Sequence, residues 1–275
     1  MRLFMCVLLI VAVTASAGVR TGGTGMTNPW STDGTYTVTS VMAGGLKDTY
    51  GMAIKDNVAN SIWLLNYVDM LNYEYDMVGG SATGTSWAIT GGVDPDDQAY
   101  CEYTSGNQWF MTNYDPSFFS VFAEDGSFVH SIDGPAAWGK VFGVGAGHDM
   151  MYLGGNGELA WGTYTGTETT ITWTTMVYEA VYGLAVYGDF LFVACGIEFA
   201  DNVFIHEIAA DGTPGATPVW SCSFVETADG TANGGIDYDG EYLWLYPQND
   251  FLYKVEIDWS MALESDTWAA IKSSF

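Results

Sequence analysis

An all-β fold of repeated four-stranded antiparallel units, closed into a five-bladed β-propeller, is the class this sequence predicts, and three observations predict it. The 275 residues include 34 Gly, 11 Trp, 17 Tyr and 14 Phe, the mixture of strand-forming aromatics and turn-forming glycines that many short strands require. Five segments share one layout: a strand of small residues, a polar turn, and a second strand built as apolar-aromatic-apolar. The repeated aromatics, Trp63, Phe110, Tyr152, Phe192 and Trp244, are 47, 42, 40 and 52 residues apart. Those separations match the roughly 40 to 50 residues of a four-stranded blade.

The elements follow in chain order. Residues 1–17 read as a secretory signal peptide, with Arg2 as the positive start, Leu3 to Val13 as the apolar run and Ala15-Ser16-Ala17 as the cleavage site. That run is too short to cross a bilayer and no later stretch approaches the required length, so a secreted, periplasmic or cell-surface protein without a membrane span is expected. Residues 18–33 form a Gly/Thr-rich linker without periodicity, and the propeller spans 34–258. Its repeats begin at Tyr50 (YGMAIKDNVANSIWLLN), Ala99 (AYCEYTSGNQWFMTN), Phe142 (FGVGAGHDMMYLGG), Tyr182 (YGLAVYGDFLFVAC) and Gly234 (GGIDYDGEYLWLYP).

Third strands follow at Leu71, Ser117, Glu158, Asn202 and Phe251. Fourth strands follow as SWAIT from Ser86, the run after the Asp125-Gly126 hairpin signal, TTITWTT from Thr169 and PVWSCSF from Pro218. The fifth repeat lacks one, whereas GTYTVTSVM from Gly34 has the pattern without a repeat of its own. An N-terminal strand therefore closes the ring and covers the edge that an open last blade would leave. Residues 259–275 differ: MALESDTWAAIKSSF has helix formers, a cap at Ser265 or Asp266, and Trp268, Ile271 and Phe275 on one face, predicting a short C-terminal helix.

Composition excludes some functions. With 33 acidic side chains against 7 basic ones and a formal net charge of −26, nucleic acid is not a partner, because phosphate backbones are held by clustered Lys and Arg. His130, His148 and His206 fall in three different blades, read as surface or half-buried residues, and have no zinc-site spacing. Neither a GxSxG elbow nor a phosphate-cradling GxxxxGK occurs. Cys101, Cys195 and Cys222 remain after signal removal and read as mostly buried thiols, with a Cys195 to Cys222 bridge as the alternative.

The run Asp239-Gly240-Glu241-Tyr242-Leu243-Trp244-Leu245, with Asn249-Asp250 and the strand Tyr253 to Asp258, resembles a blade of secreted bacterial propellers related to NHL, YVTN and glutamine-cyclotransferase-like repeats. The resemblance covers residues 34 to 258 and implies architecture only. Glutamine cyclotransferases carry a Thr-Gln-Gly-Leu-like motif in the first strand and a Glu-Ser-Thr-Gly-like motif ending the second. The matching stretches here are Thr49-Tyr50-Gly51-Met52 and Leu65-Asn66-Tyr67-Val68, without the acidic residue, so that activity is not implied.

Binding residues concentrate on connections held by a rigid scaffold. In this layout the fourth-to-first and second-to-third connections share one face, and Asp69, Asp115, Trp138, Lys140, Glu198 and Asp250 lie on it. Acids interleaved with aromatics suit a protein or carbohydrate ligand, so the function expected is non-catalytic recognition or surface scaffolding. Asp94-Pro95-Asp96-Asp97 is the densest acidic cluster and reads as a solvated loop, with calcium as the cofactor it would take. The alternative is a propeller hydrolase or lyase with axial carboxylates, for which Glu102 and Asp237 are the first-strand candidates.

Overall fold

The computed structural model describes residues 34–42, 49–91, 94–114, 117–196, 201–226, 234–248 and 250–259. The predicted signal peptide, the linker and the helical tail beyond Trp259 lie outside the described residues, as do Asp115 and Glu198. All regular structure among the described residues is β.

Strand β1 (Tyr36–Met42) comes first. β2 (Thr49–Ile54), β3 (Ser61–Asn66), β4 (Leu71–Asp76) and β5 (Ala82–Ala88) then form an antiparallel sheet in sequence order. β6 (Pro95–Cys101), β7 (Gln108–Asn113), β8 (Phe118–Ala123) and β9 (Phe128–Asp133) form a second. A seven-stranded sheet contains β10 (Gly143–Gly147), β11 (Met150–Gly154), β12 (Asn156–Thr163), β13 (Thr174–Tyr187), β14 (Phe190–Cys195), β15 (Val203–Glu207) and β16 (Trp220–Cys222). The last sheet holds β17 (Gly234–Tyr238), β18 (Leu243–Pro247) and β19 (Leu252–Ile257), with β1 antiparallel along β19 from Tyr36↔Ile257 to Met42↔Leu252.

The seven-stranded sheet is two four-stranded units that share β13. Residues 174–180 of that strand pair with β12, and residues 181–187 pair with β14. The expected fourth strand from Thr169 is thereby corrected: pairing begins at Thr174. The side chains just before it do other work, since Trp173 packs against Phe119 and donates its indole N–H to the Asp133 carbonyl at 3.0 Å.

Apolar cores lie between sheets, which explains why the second strands are apolar on both faces. Trp63 and Leu65 of β3 pack with Trp109 and Phe122 of the second sheet. Phe110 and Phe119 meet Met151 and Leu153. Tyr152 and Trp161 meet Leu191 and Phe204, and Phe192 and Ile205 meet Leu243 and Val255. Trp244 and Tyr246 return to Met52 and Leu64 of the first sheet. The first strands adjoin in the same cyclic order, β2 to β6, β10, β13, β17 and back to β2.

One local expectation changes and one is met. His206 is fully buried, because the Tyr178 hydroxyl lies 2.6 Å from its Nε2 and its Nδ1 lies 2.8 Å from the Gly215 carbonyl. Cys101, Cys195 and Cys222 are free thiols, the first half-buried and the others buried.

Candidate functional site

Register defines the axis at which the first strands meet. The repeated aromatics each face a small or acidic first-strand residue: Ala53↔Trp63, Ala99↔Phe110, Gly145↔Tyr152, Ala185↔Phe192 and Asp237↔Trp244. Two residues earlier in each strand stand Gly51, Asp97, Gly143, Gly183 and Gly235. Glycine is needed there because the strands approach closely. A Cβ on Gly51 would lie 2.6 Å from the Asp97 Cα, and one on Gly183 would lie 2.0 Å from the Gly234 carbonyl oxygen. Each layer thus contains one carboxyl among small residues.

A first strand is a sheet edge, so some of its N–H groups lack a partner within their own sheet. The two carboxyls accept from such groups. Asp97 Oδ2 accepts from the Val144 N–H at 3.0 Å and the Leu184 N–H at 3.3 Å, joining β6 to β10 and β13. Asp237 accepts from the Ile54 N–H at 2.7 Å and from the Tyr238 N–H at 2.8 Å, joining β17 to β2. Burial pushes Asp97 well above the usual carboxyl range despite these hydrogen bonds. Asp237 is raised to about 8, by burial first and by the charge of Asp56 second.

The expected solvated loop at Asp94-Pro95-Asp96-Asp97 is therefore corrected. Pro95 begins β6, and Asp96 and Asp97 are 8% and 1% exposed. Two residues oppose one where the pairing shifts between Pro95 and Gln98, a bulge that re-aims the chain at this point. Asp96 is raised to about 7 by burial, with Asp94 adding and Lys140 opposing. Among the described residues, no set of three Asp, Glu, His or Cys side chains is arranged to hold a metal ion.

At the end of the axis formed by the first-to-second hairpins, a pocket of about 330 Å³ is lined by Asp56, Tyr100, Cys101, Glu102 and His148, among others. Glu102 lies just past β6 in an exposed turn, not on the first strand as expected. Burial and then the charge of Glu102 raise Asp56 to about 6, and burial lifts the Cys101 thiol to about 11. His148 is fixed by the next hairpin, with Nε2 2.6 Å from the Gly188 carbonyl and 3.0 Å from Asp189. Asp56 thus feels the charge of Glu102 and in turn acts on Asp237.

The other expected binding residues divide among separate connections. Asp69 is exposed between β3 and β4 and accepts from the Tyr73 hydroxyl at 3.3 Å. Trp138 and Lys140 share the connection from β9 to β10, where the Trp138 indole donates to the Glu158 carboxylate and the Lys140 ammonium lies 3.6 Å from the centre of the Tyr114 ring. Asp250, between β18 and β19, accepts from the Phe251 N–H at 2.8 Å. Asp56 was missed, and Asp97 was read as a loop acid rather than an axial one. Asp97 becomes visible once the second repeat is begun at Pro95, because it then aligns with four glycines.

No family model matches this chain, and no curated protein does. Solved structures do. Glutaminyl cyclase of Myxococcus xanthus is similar at 9% identity over 82% of this chain and 97% of its own, with a TM-score of 0.60. Aldose sugar dehydrogenase of Streptomyces coelicolor, in its PQQ-bound form, is 12% identical over 82% and 98%, at 0.49. A nidogen/laminin complex matches at 12% over 77% and 69%, at 0.46. At these identities the likeness concerns fold alone. Several four-stranded antiparallel sheets about a common axis define this chain as all-β and propeller-like.

Proposed function

We propose that this protein is an extracytoplasmic, non-catalytic recognition module: a five-bladed propeller, closed by its N-terminal strand, that binds a protein or carbohydrate ligand through the face of its fourth-to-first and second-to-third connections. The observation that carries the reading is how the axial carboxyls are engaged. Asp97 and Asp237 accept hydrogen bonds from backbone N–H groups of other sheets, a structural employment that competes with protonating a leaving group or attacking a carbon. Five inter-sheet cores in cyclic order and the pairing of β1 with β19 support the blade count and the closure.

A second reading, a hydrolase or lyase, draws on the hairpin-end pocket. Its Asp56, raised to about 6, and the neighbouring Asp237, raised to about 8, would keep a proton available near neutral pH beside Glu102. The test is a glycan and peptide binding screen on the purified chain, run beside glycosidase, esterase and lyase substrate panels. Saturable binding without turnover, weakened when Asp69 and Asp250 are changed to Asn, is the expected result. Turnover that disappears in Glu102→Gln would replace recognition with catalysis.

A further inference from the structure

We propose that the start of β6 is a binding site for a small organic cation, a primary ammonium such as a lysyl side chain, with Asp96 and Asp97 as the hydrogen-bond acceptors that its charge would ionise and Tyr114 as an aromatic wall. The inference rests on the recognition reading and names its ligand class.

Two adjacent carboxyls are buried here with unfilled hydrogen-bonding capacity. Asp96 is 8% exposed and its carboxyl takes no hydrogen bond from the described residues, the influences on it being burial, Asp94 and Lys140. Asp97 is 1% exposed, and while its Oδ2 reaches β10 and β13, its Oδ1 has no partner among the described residues. Buried polar atoms are nearly always satisfied, so an oxygen left open among the innermost strands points to a donor that comes from outside. The bulge between Pro95 and Gln98 inserts this acidic pair into the strand.

An ammonium of the chain itself samples the neighbourhood. Lys140 acts electrostatically on Asp96 but makes no ion pair with it, and its Nζ instead lies 3.6 Å from the Tyr114 ring centre. Tyr114 is braced by Phe142 at 5.5 Å, which stacks on Tyr182 at 5.0 Å. Lys140 thus lies over an electron-rich ring while acting on a buried carboxyl, and both groups are ones an organic ammonium takes. Calcium fits less well, since it requires six to eight oxygens and no group of three acidic side chains is arranged for it among the described residues. The net charge of −26 favours the approach of any cation.

The test is calorimetric titration of the full chain, at fixed ionic strength, with Nα-acetyl-lysine amide, its Nε-acetylated neutral analogue and calcium chloride as separate probes. Saturable binding of the charged probe alone is expected. Asp96→Asn should weaken it about tenfold, Tyr114→Leu about threefold, and Lys140→Ala should strengthen it severalfold by removing the resident competitor. A misfolded variant cannot bind more tightly, so the Lys140 result separates recognition from damage; melting curves check the others. Equal binding of the neutral probe, undiminished binding by Asp96→Asn, or calcium binding without lysine binding overturns the proposal. Failure of the charged probe while a glycan or peptide still binds overturns this site and leaves the recognition reading standing.

Discussion

Asp237 stands where the four equivalent first-strand positions carry Ala53, Ala99, Gly145 and Ala185, and this exchange puts a titrating carboxyl into that layer of the axis. Its pKa is about 8 in the fold against an ordinary value of 3.8. Between those values the folded chain holds a proton that the unfolded chain has released, so this stabilising contribution is present at low pH and declines as pH rises towards 8. Asp237→Asn removes that decline. Its Tm relative to the native chain should rise between pH 5 and pH 9, by roughly 2–4 °C for each kcal/mol recovered, and parallel Tm curves would contradict the assignment. His206 acts in the opposite direction. Burial lowers it from 6.5 to about 4, so the unfolded state binds the extra proton and stability is lost as pH falls through that window, by up to about 3 kcal/mol. An imidazole NMR titration should show His206 neutral down to about pH 4, and a midpoint near 6.5 would refute its burial.

At the scale of elements, the second strands were the most legible part of the sequence because both of their faces are buried. Trp63 and Trp244 occupy equivalent register positions, 5% and 0% exposed, and each indole N–H has a local acceptor, Ser61 Oγ at 3.0 Å and Asp239 at 2.8 Å. Replacing either by Ala should destabilise the fold by about 3–5 kcal/mol in denaturant titrations; a change below about 0.5 kcal/mol is a surface response and would refute the register. The first strands were harder to read. Asp-Pro-Asp-Asp has turn chemistry, yet pairing with β7 from Pro95↔Asn113 makes it the start of a strand, and Asp97 then meets N–H groups of β10 and β13. TTITWTT alternates as a strand should, yet Ile171 and Trp173 are drawn onto the neighbouring core and pairing starts later. The site suffered most, because its acids meet only through the ring: Asp56, Glu102 and Asp237 come from three different sheets or their turns.

At the scale of the whole molecule, packing continues from each sheet to the next. Each sheet buries its faces against the next, and the last core returns to the first through Met42 of β1, Trp244 of β18 and Leu64 of β3. The axial carboxyls reinforce that arrangement, since Asp237 ties β17 to β2 across the same junction. β1 lies along β19, with Thr37 opposite Glu256 and both side chains exposed. A cross-link at that pair tests the closure most directly. Directly opposed residues on antiparallel strands lie within disulfide reach, and joining Thr37→Cys to Glu256→Cys would close almost the whole chain into one loop, worth about 5 kcal/mol in the chain-entropy account. Under mild oxidation, peptide mapping should find the 37–256 bridge in monomeric protein, and the melting transition should move upward by several degrees. Two thiols that stay free, or that join only between molecules, would contradict a ring closed by its N-terminal strand.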